Sequence, residues 1–373
     1  MHDGRPVRAE IFAEAACDRL WIRLVDEDGR PADGVFNRIA LLPDPETPGE
    51  FPPCRKRSSA DMLSFEQVLP YEEPHRYDPA AGHPKDRAFR LSVRTSGPLA
   101  FRKRLVKHRF YEETADPSGC AGFAACVHLE EGLAADLIEG RAHAPDSGPD
   151  SHSHNSAEPQ AAAAQQSAEA LPVVSHGAFE EARTQTAASW RDYWRRSGVE
   201  LEDAFLERIW YWNLYFLNCA VRPGTTCPGL FANWSYRKIG TAWHGDYHLD
   251  YNAQQPFWVS FSTNHVDKHL AYVDMIDRLR PVARRWAREY FGLRGACYPV
   301  TAYPVDMTMC PYPVPTWGWM ISMTPWAVQS HWWHFYYTRD VGFLRERAFE
   351  PIKEAVMFVV DYMRRPEAHG PQW

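Results

Sequence analysis

The sequence predicts an α+β multidomain chain: a partial N-terminal antiparallel β-sandwich followed by an incomplete (α/α)6 toroid of helical hairpins. Three observations carry this. Before residue 145, apolar residues fall in short, partly alternating runs bounded by turn residues, whereas after residue 177 they recur at helical spacing. Between the two lies a tract of small and polar residues. Tryptophan is unevenly spread as well: of 15, all but Trp21 stand at position 190 or beyond, so the two parts are built around different cores.

In the first part, residues 1–145, the runs RAEIFAEA, DRLWIRLVDEDGR, RAFRLSVRTSG and AFRKRLVKHRFYEE read as strands. The clusters DEDGRPADG, PDPETPGEFPP, DPAAGHPKD and DPSG punctuate them as turns. Residues 146–176 read as a disordered linker, because a Ser-, Ala- and Pro-rich tract has too little apolar surface to offset the entropy of ordering. His152 and His154 within it are read as solvated rather than metal-binding.

The last part, residues 177–373, is helical. A charged helix over 178–197 carries Phe179, Trp190, Tyr193 and Trp194. Asp203 caps AFLERIWYWNLYFLNCAV, a helix apolar nearly all round and so expected to be buried on most sides. Asn264 is expected to cap a helix with Val266, Leu270, Val273, Ile276 and Leu279 on one face, and Pro281 to open the next, which ends at Gly292. Thr316 is expected to cap a tryptophan-rich helix interrupted by Pro325. Asp340 starts VGFLRERAFE, and Pro351 opens IKEAVMFVVDYMRR. Hairpins whose long aromatic loops converge at one end suggest a toroid with a substrate pocket on its axis. A full toroid needs about twice this helical length, so the chain is expected to be truncated within its barrel and to self-associate through an exposed barrel face.

The bulk numbers exclude several classes. Net charge is −7 with no basic block, which argues against a nucleic-acid partner. No apolar run approaches the ~18 residues of a membrane span. The start, MHDGRPVRAE, has no basic-then-apolar leader, which favours the cytoplasm. The eight cysteines have neither CxxC nor zinc-finger spacing, so they are read as reduced, and no metal or cofactor is expected.

The stretch 229–258, GLFANWSYRKIGTAWHGDYHLDYNAQQPFW, stands apart. It combines tryptophans, histidines, aspartates and amides with punctuating glycines, and reads as an ordered loop lining a cleft. The proline-rich stretch 297–318 is a second such loop. If 248–254 is extended, alternation puts His248, Asp250, Asn252 and Gln254 on one face.

Within it, GDYHLDYNAQQPFW resembles the GDYxxNxNxQMNYW pattern of glycoside hydrolase family 95, the inverting 1,2-α-L-fucosidases and their relatives. Two further segments agree in order. AASWRDYWRRSGVEL with LERIWYWNLYFLNCAVRPG is similar to that family's linker helix and first barrel helix. PWAVQSHWWHFYYTRDVGFLRERAFEPIKEAVMFVVDYM is similar to its AWxxxHxWEHYxxTGDxxFLRE helix pair. The resemblance covers about residues 185–364 and implies a β-sandwich, a helical linker and an (α/α)6 barrel that hydrolyses a terminal sugar, fucose-like or other, from an oligosaccharide.

It also implies roles. Two asparagines of the family motif hold the attacking water near the base; here their positions are Asp250 and Asn252, which makes these the candidate catalytic residues. An amide orients water at any pH, whereas a carboxylate can take the proton itself. The candidate substrate-binding residues are His248, Gln254 and His334, with Trp234, Trp243, Trp317 and Trp319 placed to stack on a sugar face. Trp333 departs from the pattern, standing where the family carries the glutamate of WEHY. The family's general acid and principal base lie beyond the last matched helix. Three functions compete: an inverting hydrolase; a non-catalytic or degenerate carbohydrate-binding relative, in which the two departures mark lost chemistry; and a phosphorolytic enzyme, for which the matched loops show no Arg/Lys/Gly cluster.

Overall fold

The computed structural model describes residues 6–15, 17–33, 35, 38–44, 47–71, 81–106, 110–138, 171–232, 246–302 and 320–364. The chain divides into two compact units, residues 1–192 and 193–373.

The first unit is built on a six-stranded antiparallel sheet. Its strands are β1 (Arg8–Ala13), β2 (Arg19–Val25), β3 (Arg55–Ser59), β4 (Met62–Leu69), β5 (Arg87–Thr95) and β8 (Ala124–Leu133), in the order β1-β2-β8-β5-β4-β3. The run AFRKRLVKHRFYEE forms not one strand but the hairpin β6 (Ala100–Val106) with β7 (Phe110–Asp116). Period-two alternation divides the sheet's side chains between two cores. Leu24, Leu63, Phe65, Val93 and Ala125 pack with Leu41, Leu99, Ala115 and Phe123 on one face. Trp21, Ala124 and Cys126 pack with Leu171, Val174, Phe179 and Ala182 on the other. The second cluster brings in α2 (His176–Trp194), after the short helix α1 (Ala134–Leu137). Leu171 and Val174, assigned to the linker by composition, are therefore buried core residues; most of that stretch, 139–170, with His152 and His154, lies outside the described residues. Arg23, 7% exposed, sits 4.3 Å from the centroid of the Phe179 ring and pairs with Glu10 and Glu180, each at 2.6 Å. A buried guanidinium is tolerable only with such partners.

The second unit is helical. Asp203 accepts hydrogen bonds from the backbone N–H groups of Phe205 and Leu206, starting α3 (Ala204–Ala220). The expectation that this helix is buried on most sides is wrong here. Only Leu214 and Leu217 are buried, while Phe205, Leu206, Trp212, Tyr215 and Phe216 are each between 46% and 57% exposed. Its apolar residues encircle the helix, and this unit packs against only one side of it.

Next come β9 (Tyr247–His248), α4 (Gln255–Ser262), a 3-10 turn (Val266–His269) and α5 (Leu270–Phe291). Asn264 does not cap: it takes a left-handed φ of 58° and its amide bonds the Arg196 carbonyl. Pro281 does not open a helix either. It lies inside α5, which runs unbroken for 22 residues because Val273, Ile276, Leu279, Ala283, Trp286 and Ala287 bury one continuous stripe. Packing along that stripe outweighs the lost N–H. Gly292, at φ 61°, ends α5 as expected.

After β10 (Thr301–Ala302) comes α6 (Met323–Thr338), with Pro325 accommodated in its first turn rather than interrupting it. The expected cap Thr316 lies outside the described residues. Asp340 accepts from the Phe343 N–H and starts α7 (Val341–Phe343); a π turn (Leu344–Ala348) leads straight into α8 (Phe349–Met363). Arg347 on the π turn clasps Asp274 at 2.8 Å and Asp277 at 2.6 Å on α5. Gly295, at φ 82°, lets the backbone approach α8: an added Cβ would lie 2.1 Å from the Glu354 carbonyl oxygen. Among the described residues no helix is long and apolar enough to cross a membrane.

Candidate active site

The segment that begins at Asp246 is held first by a two-residue ladder. Tyr247 pairs with Ala302 and His248 with Thr301, and the Leu249 N–H donates to the Val300 carbonyl at 2.6 Å. Tyr247 is fully buried, and its hydroxyl donates to the Cys227 carbonyl at 2.9 Å. His248 Nε2 lies 3.0 Å from Asp246 Oδ1.

Beyond His248 the chain is not extended. Residues 249–254 form a turn, so the expected inward row of His248, Asp250, Asn252 and Gln254 is replaced by a bend that points these residues differently. Gln254, 2% exposed, locks the bend: its Nε2 donates to the Leu249 carbonyl at 2.6 Å and its Oε1 accepts from the Tyr251 N–H at 3.2 Å. Its amide is spent on the backbone, not turned toward a cleft. The bend holds Tyr251 at φ 141°, a conformation L-residues rarely adopt and one that concentrates at functional positions. Asn252 is exposed beside it. Asp250 has a buried Oδ1 with no hydrogen-bond partner among the described residues. A carboxylate and an amide thus flank one strained residue, an arrangement that can orient a water and accept its proton.

Aromatic rings continue from this bend. Tyr251, 46% exposed, meets Trp258 edge-on at 5.6 Å and lies 6.4 Å from Trp326; Trp258 lies 6.0 Å from Trp333. Phe261 follows, 6.5 Å from Trp333 and stacked at 5.0 Å on Tyr337. Trp258 and Phe261 share one face of α4 at i,i+3, and Trp326, Trp333 and Tyr337 share one face of α6. This row could not be found from either helix alone, because the pairing is across helices. Trp234, Trp243, Trp317 and Trp319 lie outside the described residues.

His334 is not with the bend. It is 6% exposed on α6, its Nδ1 3.1 Å from His269 Nδ1, with Phe343 and Phe261 against its ring. His265, His269 and His331 are fully buried nearby in the sequence of these helices, and neither ring nitrogen of His265 or His331 has a partner among the described residues. Burial pushes His331 down to about 3 and His265 and His334 down to about 4, and holds His269 well below the usual imidazole range. All four are neutral in the folded protein. The signal in the sequence was their spacing, i,i+4 at 265 and 269 and i,i+3 at 331 and 334. Among the described residues, no group of three His, Cys, Asp or Glu is placed to hold a metal ion.

The β-sheet unit followed by helices is the arrangement of a solved structure described as a putative kojibiose phosphorylase from human microbiome. The match has a TM-score of 0.53 at 10% sequence identity and covers 95% of this chain and 42% of that one. The likeness defines a six-hairpin-glycosidase type of fold and, at that identity, the fold alone. The model of the glycosyl hydrolase family 95 catalytic domain matches residues 169–372, more than half of the sequence, and the chain belongs to that family. Alpha-L-fucosidase 2 of Arabidopsis thaliana is 24% identical over 179 residues, which are 48% of this chain and 21% of that protein. The chain thus spans about a fifth of the curated relative it matches.

Proposed function

We propose that this chain is part of a glycoside hydrolase that removes a terminal sugar from an oligosaccharide with inversion, its helices being hairpins of an (α/α)6 barrel and its sheet one part of a β-sandwich. The observation that carries this is the bend at 249–254 inside the segment that the family model matches; by the resemblance, Asp250 and Asn252 stand there at the family motif's water-holding positions. An inverting mechanism needs one carboxylic acid to protonate the leaving oxygen and one carboxylate to activate water across the ring, about 6.5–9.5 Å apart. Asp250 and Asn252 serve the water side. The resemblance assigns the general acid and the principal base to segments that follow the last matched helix, and the water side to the bend at 249–254.

A second reading, a carbohydrate-binding relative without catalysis, is favoured by one observation: Trp333, at the position of a family glutamate, is joined to an aromatic row and offers no charge. Calorimetry of the 373-residue chain with methyl glycosides and fucosylated oligosaccharides, run beside a turnover assay, tests both. Binding that Asn252→Ala weakens, with turnover appearing only when the downstream carboxylates are supplied, supports the hydrolase. Full turnover by this chain alone contradicts the placement of acid and base, and binding without turnover in the complete protein supports the second reading.

A further inference from the structure

We propose that Tyr251, Trp258 and Trp333 form a pyranose-stacking wall of this site, with Asp250 Oδ1 and Trp258 Nε1 as its hydroxyl-reading groups; the proposal rests on the carbohydrate reading above and names how the sugar is held.

Three features set these rings apart from core aromatics. Tyr247, Tyr272 and Tyr298, the core rings of the same unit, are at most 1% exposed, whereas Tyr251 is 46% exposed and Trp258, Trp326 and Trp333 are only half-buried. The rings nevertheless touch in unbroken succession from Trp326 through Tyr251 and Trp258 to Trp333, so the surface is continuous. Backbone strain is also spent on it: Tyr251 is kept at φ 141° by both ends of the Gln254 amide, and relaxation would take its ring off Trp258.

Two polar atoms complete the wall. Asp250 Oδ1 and Trp258 Nε1 are buried and lack hydrogen-bond partners among the described residues. Leaving such groups unpaired is unfavourable, and ligand hydroxyls satisfy both kinds: a hydroxyl donates to a carboxylate and accepts from an indole N–H. A pyranose has the required duality, since its C–H face is apolar and lies flat on a ring while its rim carries donors and acceptors. An amphipathic ring surface with a polar tip is what indole and phenol supply. Aliphatic ligands would satisfy the rings and not the polar atoms.

The test is binding to the full 373-residue chain of methyl α-L-fucopyranoside, methyl β-D-galactopyranoside and methyl α-D-glucopyranoside, read by saturation-transfer NMR and tryptophan quenching. At least one is expected to bind through its C–H face. Trp333→Leu is expected to weaken it by about tenfold or more, and Trp333→Phe by no more than about threefold, since the ring is retained. Trp258→Phe keeps the stack and loses the N–H, and should weaken only sugars that carry the hydroxyl it reads. Trp332→Leu, on the neighbouring exposed residue outside the row, should change nothing. Tyr251→Gly removes the exposed ring at a φ that glycine accepts, and so tests the wall even if Trp333→Leu does not fold. Binding by none of the three glycosides, or equal binding by Trp333→Leu, Tyr251→Gly and the parent, overturns the proposal. Stacking by this chain with no hydrolysis by the complete protein leaves it standing while the hydrolase reading falls; hydrolysis by the complete protein that these variants leave unchanged does the reverse.

Discussion

Acid should unfold the helical unit early, through its four buried histidines. His265, His269 and His331 are fully buried and His334 nearly so, and burial holds every one neutral in the folded state. In the unfolded chain each titrates at about 6.5. Because the folded values are depressed, the stability tied to neutral imidazole is fully present above pH 6.5. It is lost as pH falls from there, until the folded values of about 4 for His265 and His334 and about 3 for His331 are reached. One pH unit below 6.5, each histidine costs about 1.4 kcal/mol, so the four together remove about 5.6 kcal/mol at pH 5.5. That is a large share of the ~5–15 kcal/mol available to a domain. In guanidinium chloride the midpoint should fall by roughly 1 M between pH 7.5 and 5.5. Tryptophan fluorescence is the right probe, because all but Trp21 stand at 190 or beyond. His331→Leu removes one proton-binding site whose ring nitrogens bond nothing among the described residues, and should cut the pH-dependent loss by about a quarter. A midpoint unchanged between the two pH values, or a slope that His331→Leu leaves as it was, would refute the reasoning.

Three other perturbations test separate parts of the fold. Gln254→Ala removes both side-chain bonds of the bend and strands the buried Leu249 carbonyl, which should cost about 2 kcal/mol in urea denaturation and speed amide exchange over 249–255. Gly295→Ala sets a Cβ 2.1 Å from the Glu354 carbonyl oxygen and 2.8 Å from the Phe358 nitrogen at a left-handed φ, so α8 must move; thermal unfolding should drop by the equivalent of about 3 kcal/mol, and a neutral variant would mean that the loop does not approach α8 so closely. Phe205, Trp212 and Phe216 expose a contiguous apolar side of α3, so the chain should associate with rising concentration in sedimentation velocity, and Trp212→Glu with Phe216→Glu should reverse this; a parent that stays monomeric would count against the expectation.

Local signals in the sequence were reliable where one residue decides the geometry. Asp203 and Asp340 as caps and Gly292 as a stop are each visible as a side chain or a missing Cβ at a helix end. Strands whose apolar runs are bounded by turn clusters, such as RLWIRLV, were also legible. MLSFEQVL was not, because β4 is buried on both faces: Glu66, 1% exposed, pairs with Arg90 at 2.8 Å and Arg57 at 3.3 Å, and a charge in the core breaks the alternation by which strands are recognised. Pro281 misled because propensity is local whereas the stripe that holds α5 together is set by tertiary packing. At the candidate site, the period-two rule gave the segment that carries the family pattern the wrong shape. Alternation presumes extended backbone, and the bend is dictated by the Gln254 amide, a contact that no periodicity encodes. The aromatic row was illegible for the same reason: Trp258 and Trp333 are 75 positions apart in the chain and 6.0 Å apart in space.

The π turn at Leu344–Ala348 sets the phase of everything after it. Such a turn amounts to one residue spliced into an α-helix without interrupting it. Each residue advances an α-helix by about 100°, so the splice rotates the whole of α8 by that angle about its own axis. Phe343 before it and Ala348 after it, five positions apart, join Val273 in one buried cluster, a coincidence that an unbroken α-helix would spoil. From there Pro351, Glu354, Ala355 and Phe358 continue one buried stripe. Removing one residue from the turn would leave a more regular helix with its stripe swung into solvent and Arg347 turned away from both aspartates. A relative without such a turn would align with this chain only with a one-residue offset at 344–348; without that offset the inward residues of one protein would pair with the outward residues of the other.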